Sequence, residues 1–228
     1  MGKVVSKIVL TGGPCAGKTS ALNKIEKELS EKGYRVFVVP ESATEIINGG
    51  IRPFGNKAVD YLKFQELIIT YQVYKDKMYE AAALSLPEEE QCIIIYDRGV
   101  IDNKAYIGQE LFTRLLDDSR FDEIELLENY DMVIHLVTAA NGALEHYTKA
   151  NNEARSETPE EAIELDKRTL EAWLSHKKLE VIDNSTNFEL KLERTINVIY
   201  TQLNLSYQEY GFLGQYNEET PMTKRLSV

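Results

Sequence analysis

Short, mainly apolar runs alternate with segments of helical spacing along the 228 residues. Five runs are rich in residues that favour strands; they cover 4–10, 35–39, 92–97, 132–137 and 179–183. Apolar residues recur every three or four positions in the segments between and after them, which predicts helices over 20–32, 41–48, 59–86, 108–128, 141–149, 159–174 and 185–203. Strands that alternate with helices indicate an α/β fold with a five-stranded parallel sheet covered on both faces.

One domain accounts for most of the chain. No stretch rich in Gly, Ser or Pro divides it and no internal repeat is present, so we expect a single domain over residues 1–205 and a C-terminal tail over 206–228. The tail carries an aromatic and apolar cluster, Tyr207, Tyr210, Phe212, Leu213 and Tyr216. Such a cluster packs on its own domain or contacts a protein partner, and both interpretations stay open.

Composition excludes several classes of protein. With 26 basic and 37 acidic residues the net charge is −11, which argues against broad binding to nucleic acid or to an anionic membrane. The two cysteines, Cys15 and Cys92, are too few for a disulfide framework or a cysteine zinc site. No apolar run approaches about 18 residues, so no membrane span is expected. The N-terminus lacks the apolar core of a signal peptide, which predicts a cytoplasmic protein.

The strongest motif follows the first strand directly. Residues 12–19 match GxxxxGK[ST], and a helix is predicted immediately after them. Such a loop wraps phosphate groups with its backbone N–H groups, its lysine reaches the β- and γ-phosphates, and its hydroxyl binds Mg²⁺. We therefore expect a nucleoside triphosphate, ATP or GTP, to bind at Gly12, Gly13, Pro14, Cys15, Ala16, Gly17, Lys18, Thr19 and Ser20.

Two further strands end in charged residues. Asp97 ends the run CIIIYD and is followed by Arg98, while Glu41 closes the second strand after Pro40. The carboxyl ends of parallel strands are where open α/β sheets bind ligands. Asp97 is thus a candidate Mg²⁺ holder with Thr19, and Glu41 a candidate proton acceptor for an attacking hydroxyl. The structural alternatives are a strand-ending acid beside a solvated arginine, and an acid that stabilises a helix start.

Three more residues are weaker candidates. Arg155 lies in the polar segment 150–158, where an arginine can close over phosphates as part of a lid. Phe64 and Gln65 adjoin on the long helix and are suited to stack on and hydrogen-bond to a flat acceptor base; the alternative is a core phenylalanine beside a surface glutamine. We interpret His135, inside a buried strand, as a core histidine whose hydrogen bonds are satisfied.

The motifs together resemble the AAA-type P-loop family that contains the nicotinamide-riboside kinase domain of bacterial NAD regulators and the nucleotide-binding domain preceding some CYTH domains. The resemblance is carried by VLTGGPCAGKTS (9–20), VVPESATEII (38–47), IIIYDRGVIDNKAY (93–106), residues 150–176 and VIDNS (181–185). Deoxynucleoside kinases are similar at a greater distance, with counterparts of Glu41, Phe64-Gln65 and Asp97-Arg98. The resemblance implies a nucleoside-kinase-like fold, binding of Mg²⁺ with a nucleotide, and a lid near Arg155.

Two hypotheses for function follow. The first is a kinase that moves the γ-phosphoryl group of ATP or GTP to a small hydroxyl-bearing acceptor such as a nucleoside. Its catalytic residues would be Lys18, Glu41, Asp97, Arg98 and Arg155. The acceptor would contact Glu41, Phe64, Gln65 and Arg98. The second is a slow NTPase that acts as a regulatory switch and contacts a protein or lipid partner through the tail. The acceptor, the choice between ATP and GTP, and the oligomeric state are not determined by these patterns.

Overall fold

The computed structural model describes residues 5–146 and 158–205. Arg155 and the aromatic tail, which were singled out above, lie outside this part of the chain. The five strands are Val5–Thr11 (β1), Arg35–Val39 (β2), Cys92–Asp97 (β3), Met132–Leu136 (β4) and Leu179–Ile182 (β5). The helices are Lys18–Glu31 (α1), Ser42–Asn48 (α2), Tyr61–Leu84 (α3), Asn103–Ser119 (α4), Glu123–Glu128 (α5), Pro159–Trp173 (α6) and Phe188–Gln202 (α7).

All five strands form one parallel sheet in the order β2-β3-β1-β4-β5, which confirms the predicted architecture. The first strand is central, and Val9 aligns with Tyr96 of β3 on one side and Val133 of β4 on the other. The chain therefore crosses to opposite sides of β1, and a crevice opens at the carboxyl end of that strand. The motif at residues 12–19 follows β1 into this crevice.

Apolar clusters cover both faces of the sheet. On one face Ile8, Leu10 and Ile134 pack with residues of α1 and α7, and on the other Val9 and Ile94 pack with residues of α3, α4 and α6. Neighbouring residues of β1 thus face opposite clusters and are both fully buried. This burial explains why the strands are apolar throughout instead of alternating with polar residues.

The predicted helices differ from the observed ones at several places, and α4 already begins at Asn103, five residues before the predicted start at 108. The expected helix over 108–128 is two helices, because Arg120 adopts a left-handed conformation at the end of α4 and Asp122 caps α5. The last helix begins three residues later than expected, after its cap Asn187. The helix expected over 141–149 is wrong for its described part, which contains only a 3₁₀ turn at Leu144–His146 after Gly142 with φ 92°.

Within residues 5–146 and 158–205, we find no helix long and apolar enough to cross a membrane. The long helix α3 runs unbroken for 24 residues, but it carries several charged side chains and buries polar ones. Its buried polar residues, among them Gln65, Gln72 and Asp76, face the rest of the domain.

Candidate functional site

A cavity of about 1110 Å³ lies at the carboxyl end of the sheet. Residues 14–20 form its floor, and Glu41, Asp97, Arg98, Tyr106, Asn184, Phe188 and Lys191 are among the side chains around it. The tertiary structure thus brings together the motif after β1 with the charged residues that end β2 and β3. These are the residues that the sequence placed at one edge of the sheet.

Glycine is required at two positions of the loop. Gly12 has φ 138°, and a Cβ atom there would lie 2.0 Å from the carbonyl oxygen of Leu136 at the end of β4. Gly17 has φ 92° and caps α1, where a Cβ atom would lie 2.6 Å from the ring of Phe188. Both positions combine a left-handed backbone with close packing, so any larger residue would move the loop.

The carbonyl groups of the loop accept hydrogen bonds from Lys18 of the motif itself and from residues after β4 and on α7. Each carbonyl from Gly12 to Ala16 accepts a hydrogen bond; the donors are Lys18 Nζ for Gly12 (3.2 Å) and Gly13 (3.3 Å), Thr138 Oγ1 for Pro14, the Ala139 amide for Cys15 (3.4 Å) and Lys191 Nζ for Ala16 (3.1 Å). Because the carbonyls are held in this way, the loop and the start of α1 present an N–H-rich surface suited to an anion.

Lys18 carries the positive charge of the loop. Burial and the neighbouring positive charge of Arg98 lower the pKa of its ammonium group to about 8, although Asp97 and Glu41 act in the opposite direction. A phosphate group entering the cavity would add negative charge beside this lysine. Bound phosphate is therefore expected to restore its fully protonated form.

Arg98 and Glu41 form an ion pair across the cavity. Arg98 Nε donates to Glu41 Oε1 at 2.7 Å, and Thr44 Oγ1 donates to the other carboxylate oxygen at 2.6 Å. Burial raises the pKa of Glu41, but Arg98 and Lys18 outweigh it and bring this pKa down to about 2. Arg98 itself has φ 69°, an uncommon conformation for a non-glycine residue that turns its side chain back over the site.

Two polar side-chain atoms at the end of β3 have no hydrogen-bond partner among the described residues. They are Arg98 Nη1 and Asp97 Oδ1, both buried beside the cavity. Burial also raises the pKa of Asp97, with the nearby Lys18 charge acting against it. Unpaired buried polar atoms of opposite character are costly unless a ligand or water completes them. They are suited to a site that binds both an anionic group and a cation.

Magnesium fits the residues present. Thr19 lines the same cavity as Asp97, so a hydroxyl and a carboxylate face a common space above the loop. Mg²⁺ commonly takes only one or two protein ligands and completes its shell with phosphate oxygens and water. Among the described residues no group of three His, Cys, Asp or Glu side chains is arranged for a metal ion, so this part of the chain provides no cage made of protein ligands alone.

The sequence analysis missed residues that support the site from behind. Asp102 Oδ2 accepts from the Gly99 amide at 2.8 Å, and its Oδ1 accepts from Trp173 Nε1 at 3.2 Å and from Thr11 Oγ1. This carboxylate therefore fixes the turn that follows Arg98 to β1 and α6. Asp166 and Lys191, from α6 and α7, hold the phosphate loop. Only the three-dimensional contacts distinguish these residues from ordinary helix charges.

Phe64 and Gln65 are both buried on α3, so the alternative of a surface glutamine is wrong. They are not among the residues around the described cavity. Gln65 Oε1 has no hydrogen-bond partner in the described part of the chain. The interpretation of His135 as a core histidine is confirmed, because its ring is fully buried. The expectation that its hydrogen bonds are satisfied is wrong: neither ring nitrogen makes a directed hydrogen bond within the described residues, and Nε2 only approaches Asp166 Oδ1 at 3.2 Å.

The fold and the phosphate loop define a P-loop NTPase. The chain belongs to a family described as an AAA domain, whose model matches residues 7–191. It is similar in fold to the structure of deoxyadenosine kinase from M. mycoides with bound dATP, with a TM-score of 0.54 and 20% identity over 87% of this chain and 99% of that one. No curated protein matches the chain significantly. These findings confirm the expected fold and nucleotide binding in general.

Proposed function

We propose that this chain is a Mg²⁺-dependent kinase that transfers the γ-phosphoryl group of ATP or GTP to a hydroxyl group of a small, nucleoside-like acceptor. The observation that carries the proposal is the Glu41–Arg98 ion pair, 2.7 Å long, which faces Lys18 and the phosphate loop across one cavity. A carboxylate held at this place can orient a hydroxyl, and a guanidinium beside it can stabilise the transferring charge. The likeness to a deoxyadenosine kinase supports a nucleoside-like acceptor.

In the proposed reaction the acceptor oxygen forms a bond to the γ-phosphorus as the bond to the β-phosphate oxygen breaks. Glu41 accepts a hydrogen bond from the attacking hydroxyl and receives its proton late. With a pKa of about 2 it is a weak base. A weak base suffices because the phosphoryl transition state is loose and most of the rate comes from positioning and electrostatics. The nucleoside diphosphate leaves with the β-phosphate oxygen.

The cationic residues would stabilise the negative charge of the transition state. Lys18 and Arg98 would neutralise the oxygens of the transferring group, and the unpaired Nη1 of Arg98 is a donor for one of them. Thr19 and Asp97 would hold Mg²⁺, which supplies further neutralisation of the β- and γ-phosphate oxygens. Arg155 would add a positive charge from the lid segment. These assignments are proposals from position and chemistry.

The acceptor side is proposed to include Phe64 and Gln65, which are neighbours on α3 and lie outside the described cavity. Gln65 Oε1, buried without a partner among the described residues, can accept from an amino or amide group on a flat base, and its amide nitrogen can donate in return. Phe64, buried but for 3% of its surface, can pack on the same ring. Acceptors that carry such a donor are the first to test.

The test is Mg²⁺-dependent release of nucleoside diphosphate from ATP and from GTP, with and without a panel of nucleosides and nicotinamide riboside. Turnover that depends on one acceptor, with a phosphorylated product detected by mass spectrometry, is the expected result. Slow turnover that no acceptor stimulates, together with tight nucleotide binding, would contradict the kinase proposal and favour the regulatory NTPase. The same assay decides between ATP and GTP.

A further inference from the structure

Asp166 lies two turns into α6 and contacts the phosphate loop from behind. The residue is 6% exposed, and its Oδ1 accepts hydrogen bonds from the Gly13 amide at 2.6 Å and from the Thr138 amide at 3.2 Å. Gly13 belongs to the loop, while Thr138 belongs to the segment after β4. One carboxylate oxygen therefore joins three parts of the chain that are far apart in sequence.

The loop and the carboxylate fit closely. A Cβ atom on Gly13 would lie 2.7 Å from Asp166 Oδ1 and 2.8 Å from Asp166 Cβ. Gly13 has no left-handed φ that would demand glycine, so the space taken by Asp166 is the reason why a larger residue does not fit. The backbone of the loop thus sits directly on this side chain.

The negative charge of Asp166 acts on Lys191, which binds the same loop. Burial is the main influence that lowers the pKa of Lys191 to about 8, and the negative charge of Asp166 acts against that lowering. Lys191 Nζ in turn donates to the carbonyls of Ala16 and Val137 at 3.1 and 2.7 Å. Two buried charged side chains therefore hold the backbone of the loop: Asp166 binds the Gly13 amide, and Lys191 binds the Ala16 carbonyl.

We propose that Asp166 is a positioning residue for nucleotide binding: it holds the Gly13 amide and the Thr138 amide on one oxygen and so sets the shape of the phosphate loop before the nucleotide arrives. Asp166 is not among the residues around the cavity, so it acts through the loop and does not touch the phosphates. A preset loop lowers the cost of ordering its backbone on binding, which appears as affinity. The proposal concerns phosphate binding and is independent of the acceptor.

The experiment is equilibrium binding of MgATP and MgADP by calorimetry, without any acceptor, to the wild-type chain and to three variants. Asp166→Ala removes the acceptor oxygen and should weaken binding of both nucleotides about tenfold or more. Asp166→Asn keeps an oxygen in place and should bind within about threefold of wild type. Thr169→Ala is the matched control, because Thr169 is also fully buried on α6 but its hydroxyl donates only to the Leu165 carbonyl.

Melting temperatures measured beside the affinities separate positioning from folding. The proposal is supported if Asp166→Ala and Thr169→Ala lower the melting temperature by a similar amount but only Asp166→Ala binds nucleotide more weakly. Unchanged affinity in Asp166→Ala, equal losses of affinity in the alanine and control variants, or an equal loss in Asp166→Asn would overturn it. Because no acceptor is present, failure of the kinase proposal leaves these outcomes unaffected.

A measurement on the wild-type chain covers the case in which Asp166→Ala does not fold. Hydrogen exchange followed by NMR should show the Gly13 and Thr138 amides protected both without nucleotide and with MgADP, since the carboxylate holds them in both states. Rapid exchange of the Gly13 amide in the absence of nucleotide would mean that the loop is not preset, and would overturn the proposal.

Discussion

Arg98 Nε and Glu41 Oε1 lie 2.7 Å apart, and this ion pair joins the carboxyl ends of the neighbouring strands β3 and β2. Burial alone would raise the pKa of Glu41, yet the charges of Arg98 and Lys18 lower it to about 2. Glu41 is therefore ionised at neutral pH. It is already aligned as a hydrogen-bond acceptor before any ligand binds.

Replacing Glu41 with Gln should reduce acceptor-dependent turnover by about a hundredfold or more, because the acceptor hydroxyl loses the carboxylate that orients it. Nucleotide affinity should stay within about threefold of wild type, since the phosphate loop does not use this side chain. Steady-state kinetics and calorimetry measure the two effects. Glu26→Gln, at an exposed position of α1, is the control and should change neither. Turnover that survives Glu41→Gln would show that the base is misassigned.

The pH dependence of Mg²⁺ binding should follow Asp97. Burial raises the pKa of this carboxyl, so it takes up a proton at a higher pH than an ordinary aspartate, whereas Glu41 stays ionised. Mg²⁺ affinity in the presence of nucleotide should therefore begin to decrease at a higher pH than it would with an ordinary aspartate as the ligand. Titrations at a series of pH values test this. Asp97→Asn should bind Mg²⁺ weakly at every pH; a variant with the wild-type pH profile would exclude Asp97 as the ligand.

Lys75 supports the backbone just before Glu41. This buried lysine on α3 donates to the Pro40 carbonyl at 2.6 Å and pairs with the Glu45 carboxylate. Lys75→Met should cost about 1–3 kcal/mol of stability and, by loosening Glu41, lower turnover about tenfold without changing nucleotide affinity. Urea unfolding and kinetics measure these effects. The exposed Lys77→Met is the matched control. Equal kinetics in the two variants would contradict this role.

Asp76 should make stability depend on pH. Burial raises its pKa from 3.8 to about 7, although Tyr130 donates to its Oδ2 at 2.6 Å and opposes this rise. The unfolded chain loses this proton near pH 4 and the folded chain only near pH 7, so stability should fall across that interval as pH rises. The full effect is at most about 4 kcal/mol.

Asp76→Asn removes the ionisation and keeps an acceptor for Tyr130. We expect this variant to be more stable than wild type at pH 8, with the difference shrinking as pH is lowered toward 4. Urea unfolding at several pH values provides the measurement, and the exposed Asp117→Asn serves as the control. A stability difference that does not vary with pH would show that Asp76 is not buried as a protonated acid.

Local sequence signals predicted much of the site. The spacing of Gly12, Gly17 and Lys18 indicated a phosphate loop because each residue meets a local requirement. The two glycines allow a positive φ, and the lysine provides a positive charge at the start of a helix. Glu41 and Asp97 were predicted near it because parallel strands end at one edge of a sheet. The prediction of a helix over 141–149 was wrong in its described part because Gly142 adopts a left-handed φ, which the spacing of apolar residues does not reveal.

The sequence by itself therefore determined the alternation of strands and helices, the identity of the phosphate loop and the sheet edge at which the charged residues gather, since these depend on neighbouring residues and on period. Only the tertiary structure decided that Asp166 and Lys191 hold the phosphate loop and that Asp102 holds the turn after Arg98. It also decided that Arg98 pairs with Glu41. These contacts join residues distant along the chain. They form because buried charges and amides must find partners wherever packing brings them together.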